Sequence, residues 1–201
     1  EALKAHAVLV YTRLSPKGRN PSVGDTTEEM VYLGAQHERT EVIDAVNEVD
    51  RRRLMFHERP AQAFFHACCA GRTSRGVDIF GENAKALTYL QSVPCTFCRE
   101  SPLFGTTTKQ LPAAVFNREI ADSEPLVLQS DEAKRIVRVE FRKNGRRIVV
   151  SGYQLWLQIG QKLGWDKAPG TRYQINKTAS NYTIKSSGGG HGVGLCQWGA
   201  Q

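Results

Sequence analysis

The chain of 201 residues has the length of one domain, and with 40% hydrophobic residues and three tryptophans it can bury a core, which excludes a disordered chain. No run approaches the ~18 apolar residues of a membrane-spanning helix, and eighteen glycines and eight prolines without a period exclude a collagen-like repeat. Twenty-seven Lys and Arg against twenty Asp and Glu leave a net charge of +7, which favours polyanionic surroundings (nucleic acid, an anionic membrane surface or an acidic wall polymer) without choosing among them.

The opening stretch EALKAHAVLVYTRL sets Leu3, Ala7, Val8 and Tyr11 at helical spacing and predicts a helix from Glu1 to about Leu14. Because it starts inside a helical pattern with no apolar leader, and ends at CQWGAQ, the chain reads as a piece of a longer protein, truncated at both ends. Residues 15–27, rich in Pro, Gly, Asn and Ser, read as a surface loop. From Thr40 to about Arg52, Val42, Ile43, Val46 and Val49 share one face, an amphipathic helix with Thr40 as its N-cap. RLMFHERPAQAFFHA predicts two short strands around a turn at Glu58–Pro60.

The stretch from about 66 to 110 holds four of the five cysteines and little periodicity, so something other than apolar packing must pin it. RIVRVEF and RRIVVSG flank Lys143-Asn144-Gly145, and Asn-Gly is the favoured pair for a tight hairpin turn. YQLWLQIGQKLG returns to helical spacing, with Gly164 as its terminator. RYQINKTAS and NYTIKSS read as strands running into Gly188-Gly189-Gly190. The expected fold is α+β, with mixed helices and mostly antiparallel strands. It forms a single domain over 1–201 with an irregular Cys-rich lobe at about 66–110.

Cysteine spacing is the strongest chemical signal. His66 and Cys69 form an HxxC pair and Cys95 and Cys98 a CxxC pair, and two-residue spacers let both members of a pair turn onto one ion. Four nitrogen and sulfur ligands suit tetrahedral zinc, with Cys68 able to replace Cys69. The rivals are one or more disulfides, if the protein lives in an oxidising compartment, or free structural cysteines. Cys196 stands apart and reads as a small buried residue.

The closing segment GGGHGVGLCQWGA surrounds His191 with glycines, which permit backbone conformations closed to other residues and close approach of a ligand. Gln197 and Trp198 follow, and an indole suits the apolar face of a sugar; the plainer alternative is a tight turn leading into a buried Trp. No GK[ST] follows the glycines, and neither GxSxG nor HExxH occurs. Basic clusters at Arg51-Arg52-Arg53 and Arg146-Arg147 lack the aromatic ladder of an RNA reader, so nucleic acid is not an expected partner. By spacing alone, Glu1 and Lys4 are an ordinary pair on successive turns of a helix.

Several segments together resemble the SpoIID/LytB family of sporulation stage II D and amidase-enhancer proteins. EALKAHAVLVYTR is similar to its EALKAQAVAARTYA signature, AQAFFHACCAGRTS to its FHSTCGGRTS-like segment, and YLQSVPCTFCRESP to its YLRGVPDPYC-like segment. GGGHGVGLCQWGAQ resembles its closing GWGHGVGMSQWGA. The resemblance runs nearly end to end in the right order. It implies a lytic transglycosylase that cleaves between N-acetylmuramic acid and N-acetylglucosamine in peptidoglycan glycan strands, leaving 1,6-anhydro ends, with a preference for strands stripped of stem peptides. It further implies Glu1 as the catalytic acid, a zinc ion bound by His66, Cys69, Cys95 and Cys98, and action outside the cytoplasmic membrane.

On this reading Arg72, His191, Gln197 and Trp198 are candidates to bind the sugar. Burial of Glu1 would raise its pKa so that it holds a proton near neutrality. The zinc is expected to be structural, because four protein ligands leave no open position. A second expectation from the same resemblance is a glycan-binding module without catalysis that stimulates an N-acetylmuramoyl-L-alanine amidase partner; a membrane anchor would lie outside the given segment. The chain departs from the pattern at His6, in place of Gln, at Cys68 and Ala70, and at the glycine before Gly190, where the family has Trp.

Overall fold

The computed structural model describes residues 1–17, 22–24, 34, 36 and 38–201. Of the loop expected over 15–27, Ser15–Lys17 form a single 3-10 turn, and residues 18–21 and 25–27 lie outside the described residues. The chain packs as two compact units, Glu1–Phe64 and Phe65–Gly199.

In the first unit, α1 (Ala2–Leu14) packs against α2 (Thr40–Glu48). Ala7, Leu9 and Thr12 of α1 and Ala45 of α2 are buried. Thr12 is tolerated inside because its hydroxyl donates to Val8 O at 2.6 Å and accepts the Leu54 amide at 2.8 Å, so neither group is left unpaired. The N-cap of α2 is Arg39 rather than Thr40, with no side-chain cap. Strands β1 (Met55–Phe56) and β2 (Arg59–Pro60) form a hairpin whose turn falls at His57-Glu58, both at positive φ, one residue earlier than expected.

The second unit opens with β3 (Phe65–His66) and short α3 (Gly76–Phe80). Strands β4 (Thr107–Pro112), β8 (Arg172–Lys177) and β9 (Asn181–Ser187) form an antiparallel sheet ordered β4-β9-β8. A second antiparallel sheet runs β5 (Leu126–Ser130), β6 (Ile136–Lys143), β7 (Arg146–Ser151). The β6–β7 turn is Asn144-Gly145, both at positive φ, as the Asn-Gly signal requires.

Two helices complete the core: α4 (Ala113–Glu119) and α5 (Gly152–Leu163). Helix α5 is held at its start by a capping box between Ser151 and Gln154 and is ended by Gly164 at φ 102. Its Leu155, Trp156 and Ile159 pack with Phe116, Val139, Phe141, Tyr173, Tyr182 and Ile184. Each such side chain contributes about 1.5–3 kcal/mol. The buried polar atoms of this core are paired: Tyr173 donates to Gly152 O at 2.8 Å and Trp156 to Ala168 O at 2.8 Å. This α+β body fixes the end of β9, from which the glycine run departs. A short β10 (Leu195–Cys196) then pairs in parallel with β3, and α6 (Gln197–Ala200) follows.

Candidate functional site

Glu1 stands at the head of α1 with its side chain 92% exposed. Lys4, one turn on, donates to Glu1 Oε1 at 3.2 Å and also pairs with Glu48 of α2. The Lys4 ammonium, through its hydrogen bond and then its charge, holds the Glu1 carboxyl below the usual glutamate range. The two carboxylates, Glu48 first and then Glu1, hold Lys4 above its ordinary value. The raised pKa expected from burial of Glu1 is thus absent in this unit, because the carboxylate faces solvent and a cation rather than an apolar wall. Lys4, Val8, Glu48 and Arg52 line a groove with Glu1 between the two helices. Sequence reasoning missed Glu48, which lies on a separate helix and carries no motif. Burial holds the His6 imidazole below its ordinary pKa.

In the second unit the glycine run winds through the Cys-rich lobe. Gly188, Gly190, Gly192 and Gly194 all lie at φ between 74 and 86°. A Cβ at Gly188 would sit 2.8 Å from Cys68 O, and one at Gly192 would sit 2.4 Å from Arg135 Cζ, so these positions need glycine for space as well as conformation. Gly189 exchanges both backbone hydrogen bonds with Cys68, at 3.2 and 2.8 Å.

This path places His191 and His66 on either side of Val193. Nδ1 of His66 donates to Val193 O at 3.1 Å, and Val193 N donates to His191 Nδ1 at 3.1 Å. The two bonds set opposite tautomers. His66 carries its proton on Nδ1, and neutral His191 carries its proton on Nε2. The rings lie 5.8 Å apart, and Phe80 flanks His191 at 5.4 Å.

Beneath the turn lies Arg135, 1% exposed. It donates to Cys69 O at 2.7 Å, Arg72 O at 2.9 Å, Ser74 Oγ at 3.2 Å and Thr171 Oγ1 at 3.1 Å. Thr171 in turn donates to His191 O at 3.1 Å. The sequence shows Arg135 only as the first residue of a strand-like run, with nothing to mark it as buried.

Cys69, Cys95, Cys98 and Cys196 are all buried, with their sulfurs within 4.8 Å of one another. All five cysteines are free. Cys69, Cys95 and Cys98 of the expected ligand set are thus clustered, and Cys196, which by sequence reads as a small buried residue, is the fourth thiol beside them. The parallel β3–β10 pairing brings Cys196 to the lobe and sets it opposite His66 in register. His66 spends Nδ1 on Val193, while its buried Nε2 has no hydrogen-bond partner among the described residues. Cys68, the alternative to Cys69, packs beside the cluster but is not one of its four thiols, its Sγ 4.0 Å from Cys98 O.

Two backbone amides, Cys69 N and Gly199 N, each donate to Cys196 Sγ at 3.3 Å. A hydrogen bond with Cys69, reinforced by these amides, lowers the Cys196 thiol to about 3, while Cys69 is held above the ordinary thiol range. A tetrahedral zinc–thiolate site with ~2.3 Å bonds has sulfur–sulfur edges of ~3.8 Å. The observed cluster is of that size, with Cys69 and Cys98 sulfurs 3.5 Å apart, and amide-to-sulfur bonds suit thiolate ligands.

The Arg72 guanidinium is engaged by Ser92 Oγ at 3.3 Å and Glu132 Oε2 at 3.4 Å. Trp198, half-buried, packs against the thiol cluster, and Gln197 opens α6 beside it. Among the described residues no helix is long and apolar enough to cross a membrane.

No family model matches the chain. Three curated relatives align with all of it. An uncharacterised protein of Brachyspira hyodysenteriae is 27% identical over 209 residues, 55% of its own length. Stage II sporulation protein D of Bacillus subtilis is 26% identical over 226 residues, 62% of its length, and that of Bacillus amyloliquefaciens 24% over 224 residues, 61% of its length. The chain thus spans 55 to 62% of the length of these relatives. Two relatives of the same name, each matched from end to end of this chain, agree with the resemblance of its motifs: the chain is distantly similar to Stage II sporulation protein D.

Proposed function

We propose that the chain is the catalytic part of a peptidoglycan lytic transglycosylase. The observation that carries this reading is the end-to-end match to Stage II sporulation protein D, with Glu1 heading α1 on an open groove. Glu1 protonates the leaving glycosidic oxygen; its carboxylate then accepts the proton of the muramic acid's own primary hydroxyl as that oxygen closes onto the anomeric carbon. One carboxylate in two successive roles needs no water and no partner at the separation used by hydrolytic glycosidases.

Lys4 supplies the control. While it bridges Glu1 and Glu48, the Glu1 carboxyl ionises readily; a glycan that displaces Lys4 from Glu1 and leaves it to Glu48 weakens that hold, and exclusion of water then raises the Glu1 pKa into the range of a general acid. Glu48 also sets a negative charge in the same groove, suited to an oxocarbenium-like transition state. In the second unit, His191 presents Nε2–H as a donor for a sugar hydroxyl or acetamido oxygen, and Arg72, Gln197 and Trp198 are further glycan contacts.

The thiolates of Cys69, Cys95, Cys98 and Cys196 would hold zinc, which when bound supplies a structural cross-link with no open coordination position. The partners are glycan strands outside the cytoplasmic membrane, with a wall amidase as the supplier of peptide-free strands. Mass spectrometry of muropeptides from intact and amidase-treated sacculi tests the reaction. The account expects anhydro-muramic ends, more from treated sacculi. Ordinary reducing ends identify a muramidase, and unchanged strands with a stimulated amidase identify the binding module.

A further inference from the structure

The four clustered thiols come from three separate stretches of the second unit. Cys69 follows β3, Cys95 and Cys98 form the CxxC turn, and Cys196 lies in β10, five residues after His191. From His191 to Cys196 the backbone is tied by Thr171, which donates to His191 O at 3.1 Å, by Ser74 N, which donates to Gly192 O at 2.8 Å, by Val193, which bonds the two imidazoles, and by the β3–β10 pairing at Leu195 and Cys196. Past Cys196, Gly199 approaches so closely that a Cβ there would lie 2.4 Å from Cys95 Sγ and 3.2 Å from Cys196 Sγ. The closing motif is thus built to lie against the sulfurs at both its strand and its helix.

We infer that Cys196 makes the metal a clasp for the closing segment, so that the order of the His191 turn depends on the ion. The inference rests on the zinc reading of the cluster. Three of the donors belong to the lobe and one to the closing segment, so removing the ion leaves the segment on its backbone bonds to Cys68, Leu103, Ala67 and β3 alone and loosens it, while the α+β core keeps its own packing. His66 lies outside this ligand set. Its Nδ1 holds Val193.

The test uses the whole chain purified without added metal. Its zinc content is measured, and backbone amide exchange is followed before and after chelation. The expected result is one zinc per chain. After chelation, exchange in residues 188–199 accelerates by about tenfold or more together with 95–101, while 153–163 keep their protection. Cys196→Ser loses zinc affinity by more than about 100-fold, beyond the ~10–100-fold that an outer hydrogen-bonding partner costs. Cys196→His restores binding, and the cobalt-loaded Cys196→Ser protein absorbs as a three-thiolate site. His66→Ala keeps its zinc.

Zinc lost from His66→Ala but retained by Cys196→Ser overturns the clasp and leaves a zinc site; equal protection of 188–194 with and without metal overturns it as well. A wild-type chain without metal removes the zinc reading too. None of these readouts uses glycan, so the transglycosylase reading stands or falls separately.

Discussion

His66 and His191 are joined through a single residue, each Nδ1 occupied by one backbone group of Val193 at 3.1 Å. The relationship gives the two histidines different work: His66 is consumed in holding the turn, and His191 is left with a proton on the nitrogen that Val193 does not use. His66→Ala strands a buried carbonyl and is expected to lower stability by about 1–3 kcal/mol, measured by urea unfolding. His191→Ala is expected to leave stability within about 1 kcal/mol and to weaken binding to glycan strands, measured by sedimentation with sacculi.

Arg135 ties Cys69, Arg72, Ser74 and Thr171 under the same turn. Arg135→Met leaves these acceptors without their donor in a dry site, and a loss of about 2–4 kcal/mol is expected in denaturant unfolding. Arg135→Lys recovers little, because one ammonium cannot reproduce a planar fork. Gly192→Ala acts from the other side: its Cβ meets Arg135 Cζ at 2.4 Å in a backbone with φ 78, for an expected cost of about 1–3 kcal/mol.

Lys4 lowers the Glu1 pKa, so removing it raises that pKa. A general acid must be protonated to act, and its rate falls as pH rises through its pKa. Lys4→Met is therefore expected to move the alkaline limb of the cleavage profile to higher pH, measured as initial rate against pH on amidase-treated glycan. An unmoved alkaline limb contradicts the role given to Lys4.

Gly199→Ala places a methyl group against the Cys95 and Cys196 sulfurs. Weaker zinc retention is expected, by about tenfold or more, in competition with a chromogenic chelator. The far-UV circular dichroism of the zinc-loaded protein should be unchanged.

The parts of the fold that were legible in the sequence are those set by local chemistry. Asn144-Gly145 dictates its hairpin turn, and Gly164 at φ 102 ends α5 where the periodicity stops. Helix α4 and strands β4 and β5 were missed: β4 ends in Pro112 and alternates weakly, and β5 is exposed along its whole length, so no buried face writes a period into it. The candidate site divides the same way. HxxC and CxxC spacing gave three of the four clustered thiols, but Cys196 lies 127 residues from Cys69 and is brought in by a two-residue parallel pairing that leaves no trace in composition. Arg135 and Glu48 escaped for a related reason, since burial of a strand arginine and the apposition of two helices are properties of tertiary packing.

The central claim is that Glu1 cuts the glycan without water. Digestion of peptide-free strands in ¹⁸O-enriched water, followed by mass spectrometry, tests it most directly. The account predicts anhydro-muramic products free of ¹⁸O from the wild-type chain and intact strands from Glu1→Gln, which should still sediment with glycan. Incorporation of ¹⁸O at new reducing ends, or undiminished cleavage by Glu1→Gln, would contradict it.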